Sequence, residues 1–212
     1  MTAAANNDAD RVAGLVLAGG RSVRFGGEKA VARLDGRPLL IWAAERLARC
    51  CVSVAVSVRP GTEAEALTLA NGLTALYDAA GDAAGPLAGV KSGLTWAESI
   101  GARTLAVSPC DVPLLPDDLF ARLIEDADGG AAMAETSDGR QPLCAVWPVA
   151  ALAAVSAALE GGAHPPTWAV LEGLGARKVR FEPPAAFANL NTREDLAAVE
   201  AQRVGSRHDV HA

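Results

Sequence analysis

At 212 residues, half of them apolar, the chain has enough material for one well-filled α/β domain. Its net charge of −6 excludes a general nucleic-acid binder, which would carry a basic face. No stretch reads as a membrane span, and the opening MTAAANNDAD lacks the cationic and apolar regions of a signal peptide, so a cytoplasmic protein is expected.

The first apolar run, Val12, Leu15, Val16 and Leu17, predicts a strand over 12–18 buried on both faces. Paired Gly19 and Gly20 follow, and without Cβ atoms they let backbone N–H groups approach an anion. Arg21, Arg24 and Lys29 then cluster positive charge in an acidic chain, which suits a polyanionic ligand. The loop is not GxxxxGK[ST], because Ala30 follows Lys29, and not GxGxxG, because Gly19 and Gly20 are adjacent.

Pro38 stands at the start of a helix over 38–50, with Leu39, Leu40, Ala43 and Leu47 at helical spacing. A strand over 52–58, a helix over 63–70 and a strand over 74–77 lead to Asp78. Residues 85–89, GPLAG, form either a rigid turn whose backbone can meet a base edge-on or a plain turn into a helix over 87–100. The strand over 103–108 ends in Cys110-Asp111-Val112-Pro113. A carboxylate just beyond a buried strand is a common Mg²⁺ position, since that ion takes one or two carboxylates and leaves its other sites to water and phosphate. Asp111 could instead cap the helix over 116–126, but Asp117 and Asp118 are better placed to do so.

Strands over 131–135, 142–147 and 177–181 alternate with helices over 149–160 and 167–174. The last helix, 192–203, has Thr192 as its N-cap with Glu194 and Asp195 in its first turn. Asn189 and Asn191 alternate across Leu190, so in an extended segment both amides share one face while Leu190 turns to the core. They could meet the mixed donor and acceptor edge of an acceptor substrate, or fix the turn into the helix.

Alternation of this kind implies βαβ units and a mostly parallel central sheet flanked by helices. Residues 11–203 form the domain, with flexible ends at 1–10 and 204–212. Ligands of such sheets lie beyond the carboxyl ends of the strands, which gathers the glycine loop, Asp78 and Asp111 at one crevice. Cys50, Cys51, Cys110 and Cys144 have neither zinc nor CxxC spacing, and Cys50, Cys51 and Cys144 read as small core residues. His164, His208 and His211 come late and outside the motifs, which argues against a His-centred metal site or triad.

Leu17, Ala18, Gly19, Gly20, Ser22, Arg24, Gly26 and Lys29 resemble the LAGGxSxRxGxxK signature of nucleotidyltransferases that activate small phosphorylated molecules. With GPLAG at 85–89, SPCD at 108–111 and NLNTREDL at 189–196, the chain resembles the molybdenum cofactor guanylyltransferase family over about residues 12–200. The resemblance implies a single-domain Rossmann-like nucleotidyltransferase fold. It also implies Mg²⁺-dependent transfer of GMP from GTP to molybdopterin with release of pyrophosphate.

By position it assigns nucleotide contacts to Leu17, Ala18, Gly19, Gly20, Lys29, Asp78, Gly85, Pro86, Leu87 and Asp111. Lys29, Arg24 and Asp111 are the implied catalytic residues, Asp111 the Mg²⁺ ligand, and Asn189 and Asn191 the acceptor contacts. Asp78 would accept from guanine N1–H and N2–H₂ or from ribose hydroxyls. GTP and molybdopterin are the implied partners, with transient contacts to molybdoenzymes or their chaperones.

The chain departs from the family in three places. Ser57, Val58 and Arg59 stand where relatives often carry a nucleotide-touching asparagine, Glu28 replaces an aspartate, and GGAHPPTW at 161–168 replaces an arginine-bearing stretch. The alternatives are a cytidylyltransferase on the same pterin, a sugar-phosphate nucleotidyltransferase, and a non-catalytic GTP-binding regulator or degenerate paralogue. Intact Lys29 and Asp111 count against the last, and the lack of GxGxxG counts against a dehydrogenase.

Overall fold

The computed structural model describes residues 11–20, 25–79 and 85–208. Strands β1 (Val12–Leu17), β4 (Ser53–Ser57), β5 (Thr74–Leu76) and β6 (Thr104–Pro109) pair in parallel. β7 (Ala132–Thr136), β8 (Gly139–Pro148) and β9 (Arg177–Arg180) extend the same seven-stranded sheet in the order β5-β4-β1-β6-β8-β7-β9. The sheet is mostly parallel, as the sequence predicts. β8 is the exception, running antiparallel to both β6 and β7, and it is longer than the strand expected over 142–147.

Helices α1 (Leu39–Ala48), α2 (Glu63–Ala70), α3 (Pro86–Ser99), α4 (Leu119–Ala127), α5 (Leu152–Ala158), α6 (Thr167–Gly173) and α7 (Arg193–His208) complete the domain. None of the described helices is long and apolar enough to cross a membrane. Alternation along the strands sorts the core into two clusters. Val12, Val16, Val54 and Val56 pack with α1 and α4, while Ala13, Leu15, Ala55 and Leu105 pack with α3, α5 and α6. Burial on both faces is what makes β1 read as an unbroken apolar run.

Some boundaries differ from the sequence reading. The helix expected at 116 begins at Leu119, because Pro116–Asp118 form a turn closed by Leu119 N–H donating to Pro116 O at 3.2 Å. Asp118 holds the cap position, yet its side chain accepts no cap hydrogen bond and lies 3.8 Å from Arg122; Asp117 pairs with Arg49 at 2.6 Å. The helix expected over 149–160 is a 3₁₀ turn (Val149–Ala151), then α5, then a second 3₁₀ turn (Glu160–Gly162) containing the left-handed Gly161. α7 continues to His208, beyond the expected limit at 203. Cys144 is a core residue, whereas Cys50 and Cys51 are half-buried at the end of α1, their sulfurs 3.9 Å apart.

A second, two-stranded sheet has no counterpart among the elements expected from the sequence. β2 (Arg33–Leu34) and β3 (Arg37–Pro38) form a hairpin around Asp35 and Gly36, both at positive φ (50° and 76°). An Asp-Gly pair at these angles makes the type I′ turn that matches strand twist. Leu34, Leu39 and Leu190 form a small third core beneath it, with Trp42, Leu196 and Val199 packed alongside. Asp35 is clamped to α7 by Arg203 Nε at 3.0 Å and by its own N–H to Glu200 Oε1 at 3.2 Å.

α3 lies close on the sheet because it carries glycines. A Cβ at Gly93 would stand 2.6 Å from Leu15 Cδ2 and 3.0 Å from Leu105 Cδ2; one at Gly89 would stand 2.7 Å from Ser57 Oγ. The second glycine of GPLAG is therefore a helix–sheet packing residue. Replacing Gly93 by valine should lower stability by about 1–3 kcal/mol through overpacking, although glycine in a helix interior normally costs about 0.5–1 kcal/mol relative to alanine. Urea denaturation of the variant beside the unaltered protein measures the difference.

Candidate functional site

The four parallel strands end level with one another. Leu17 is in register with Ser57 and Pro109, and Ser57 with Leu76, so the segments that follow leave the sheet at one edge. Their backbones remain stitched a step further: Ala18 N–H donates to Ser57 O at 3.0 Å and Val58 N–H to Leu76 O at 3.0 Å. A cavity of about 630 Å³ opens there. Its wall includes Leu17, Ala18, Gly19, Gly20, Lys29, Asp78, Gly85, Pro86, Asp111 and Asn191.

Lys29 begins a 3₁₀ turn (Lys29–Val31) and reaches into the cavity. Its Nζ donates to Asp111 Oδ2 at 3.0 Å and to Asn191 Oδ1 at 2.8 Å. The ion pair is mostly sheltered, with side-chain exposures of 14% for Lys29 and 23% for Asp111, so solvent screens it less than a surface pair. Glu28 Oε2 accepts from the Ala64 N–H at 2.8 Å, next to the N-cap of α2, where Thr62 Oγ1 accepts from Glu65 N–H at 3.2 Å. The glutamate thus anchors the lysine turn to a helix N-terminus that favours negative charge.

Asn191 is held from two sides. The preceding Leu190 is buried and donates its N–H to Asp111 O at 2.8 Å. On the other side, Asp195 Oδ2 accepts from the N–H groups of Asn191 at 2.7 Å and Thr192 at 2.9 Å, and Thr192 Oγ1 accepts from Asp195 N–H at 3.1 Å. This reciprocal cap begins α7 where the sequence places it. The same N–H groups hold the Asp195 carboxyl below its ordinary range.

Gly19 and Gly20 have open space beside them but no left-handed backbone: neither carries a positive φ, and a Cβ on either would meet nothing within 4 Å. Their value is open room for a ligand to reach the main chain. Gly85 precedes α3 in an extended conformation at φ 164°, and Pro86 occupies the first helical turn, where its missing N–H costs nothing.

Two expected site residues stand elsewhere, and a third is outside the described residues. Leu87 is 4% exposed and packs in the α3 core, because the first turn of the helix points it at the sheet. Asn189 is exposed on the same segment as Asn191 but is not part of the cavity wall. Arg24 lies outside the described residues, as do Arg21 and Ser22. The wall also contains residues that the sequence reading did not assign to the site, including Ala30, Ser57, Arg59, Pro109, Cys110 and Leu143. Leu143 had no local signal, since it belongs to the antiparallel strand.

Cys110 neighbours Asp111 in the wall, yet burial first, and the Asp111 charge second, push its thiol up to about 12. It stays protonated at neutral pH and is a poor nucleophile. Among the described residues no group of three or more His, Cys, Asp or Glu side chains could hold a metal ion by itself. The donor set around Asp111 fits a hard cation that draws its remaining oxygens from substrate phosphates and water.

A family model described as the MobA-like NTP transferase domain matches residues 14–178. The molybdenum cofactor guanylyltransferase of Cereibacter sphaeroides is 41% identical over 192 residues, covering 90% of this chain and 96% of that protein. The protein of the same name from Cupriavidus taiwanensis is 36% identical over 203 residues, covering 91% and 98%. Among solved structures, molybdopterin-guanine dinucleotide biosynthesis protein A of Archaeoglobus fulgidus aligns with a TM-score of 0.73 at 22% identity, covering 91% of this chain and 99% of that one. A CMP:2-keto-3-deoxy-manno-octonic acid synthetase complexed with CTP aligns with a TM-score of 0.73 at 12% identity, covering 92% and 99%. At these identities the two structures establish a shared fold.

The depressed Asp195 carboxyl gives a pH test of the cap. Its folded value lies below its unfolded one, so its stabilisation is complete above the unfolded value of about 3.9 and is lost as pH falls through the lower folded value. Asp195→Ala should therefore melt below the unaltered protein at pH 7, and the gap should close as the solution is acidified into that range. Thermal unfolding across the pH series reads it directly.

Proposed function

The chain belongs to the MobA-like NTP transferase family, and from that premise we propose that it transfers GMP from GTP to the terminal phosphate of molybdopterin, releasing pyrophosphate. The observation that carries this reading is the meeting of Lys29, Asp111 and Asn191 beside the glycine loop, at the strand edge where an α/β sheet binds its ligand.

The work asked of the protein is alignment of two anions and neutralisation of charge at the α-phosphate. A phosphate monoester has its second pKa near ~6, so the acceptor is largely dianionic at neutral pH and attacks without a general base. The cavity wall suits that economy: it contains no histidine among the described residues, and the Cys110 thiol is kept protonated. Gly19 and Gly20 line the space where the triphosphate would lie and would offer it their main chain, while the Lys29 ammonium would oppose its growing negative charge. Mg²⁺ bound at Asp111 would supply further neutralisation of the phosphate oxygens.

Asn191 accepts from Lys29 and would offer its own N–H₂ donors to the acceptor side. The GMP-bearing product would pass to molybdoenzymes or their chaperones, and the reaction would take place in the cytoplasm.

Lys29→Ala should keep the fold and lower turnover by roughly 10²–10³-fold at saturating GTP, the scale for losing one preorganised charge-stabilising donor. Circular dichroism and steady-state pyrophosphate release check the two halves of that statement. Asp111→Asn, nearly equal in shape, should remove the Mg²⁺-dependent tightening of GTP binding, read by calorimetric titration with and without the ion. A metal effect that survives in the variant would move the ion to another carboxylate.

A further inference from the structure

Beyond β4, Arg59 enters the cavity wall two strands away from β6, which leads to the Asp111 partner of Lys29. Its side chain is exposed, and among the described residues it makes no hydrogen bond or ion pair. The backbone beneath it is nonetheless fixed. Arg59 O accepts from Thr62 Oγ1 at 2.7 Å, and Gly61 N–H donates to Glu65 Oε2 at 2.6 Å. The other oxygen of Glu65 accepts from Tyr77 Oη at 2.5 Å, and Ser92 Oγ donates to Tyr77 O at 2.8 Å. Glu65 therefore clamps the segment bearing Arg59 to the segment bearing Asp78, while the Arg59 guanidinium is committed to none of the described residues.

Strand order gives this cation a place along the ligand. From β6 through β1 and β4 to β5 the sheet advances three strand spacings, about 14 Å. Lys29, Asp111 and the glycine loop occupy the β6–β1 end, and Arg59 and Asp78 occupy the β4–β5 end. A nucleotide whose phosphates lie at the lysine end presents its base at the arginine end.

We propose that Arg59 reads the base, its planar guanidinium donating paired hydrogen bonds to O6 and N7 of guanine. The chemistry discriminates in both directions. Adenine carries an amino donor where guanine has O6, and a pyrimidine has no N7 to accept. The fork geometry is particular to arginine, and an exposed guanidinium with no partner among the described residues gives up only water to make the contact. This inference rests on the guanylyl reading above and adds a residue that determines its nucleotide specificity.

The test pairs a protein variant with a ligand variant. Binding of GTP and of 7-deaza-GTP, in which N7 is replaced by C–H, is measured by calorimetry with Mg²⁺ for the full chain and for Arg59→Ala. The unaltered protein should prefer GTP over the deaza analogue by about tenfold, the scale of one charge-assisted hydrogen bond. Arg59→Ala should bind the two alike, with GTP weakened to the level of the analogue or below. Equal weakening of both ligands by the substitution would make Arg59 a phosphate contact and overturn the proposal, as would no weakening of either. CTP serves as the separate control: unaltered protein that binds CTP as tightly as GTP defeats the guanylyl reading itself, whereas intact GTP preference with either failed Arg59 result defeats the proposal alone.

Discussion

One ammonium group ties together three distant parts of the chain. Lys29 hydrogen-bonds Asp111, 82 residues away, and Asn191, 162 residues away, and the cavity is defined by that meeting. Each partner arrives by a different route. Lys29 comes on a short turn anchored through Glu28 to α2, Asp111 follows a strand buried from Leu105 to Pro109, and Asn191 precedes a capped helix. On the proposed reading, a charge held this way would face the ligand with its orientation already set, so less reorganisation would accompany the appearance of charge in the transition state.

The hairpin and α7 serve the same end from outside the main sheet. Leu34 and Leu39 bury Leu190, whose N–H in turn fixes the backbone of Asp111. Asp35 at the hairpin turn holds α7 through Arg203 and Glu200, and the Arg37 and Arg203 guanidinium groups lie 5.1 and 5.0 Å from the Trp42 ring. The small third core is thus a mount for Asn191. Its loss would act on the site through position rather than through lost contacts with the ligand.

Much of this arrangement was legible in the chain. The apolar run ending in Gly19-Gly20, the carboxylate beyond 103–108 and the Thr192 cap are local patterns with local physical causes, and the strand-end rule brings the first two to one edge. Other features depend on partners remote in sequence. Nothing in residues 139–148 states that this strand runs against its neighbours. Gly89 and Gly93 read as turn or helix residues until Leu15, Leu17 and Ser57 are placed beneath them. Leu87 shares a motif with Gly85 and Pro86 but turns to the core because the helix has already begun. The hairpin is a different case: Asp35-Gly36 is a strong local signal for a type I′ turn, and the flanking strands are too short for hydrophobic alternation to show.

The described cavity wall brings the glycine loop, Lys29 and the sheltered Asp111 carboxylate together with no histidine, and the proposed attack of a phosphate on a triphosphate asks for neutralisation of charge rather than a general base. The most direct test follows the phosphorus atoms. With molybdopterin, Mg²⁺ and GTP labelled at the α-phosphate, the label should appear in the pterin product, while label at the γ-phosphate should leave as pyrophosphate. Release of γ-label as orthophosphate with no α-label on the pterin would contradict nucleotidyl transfer and make the protein a GTP hydrolase or a regulator.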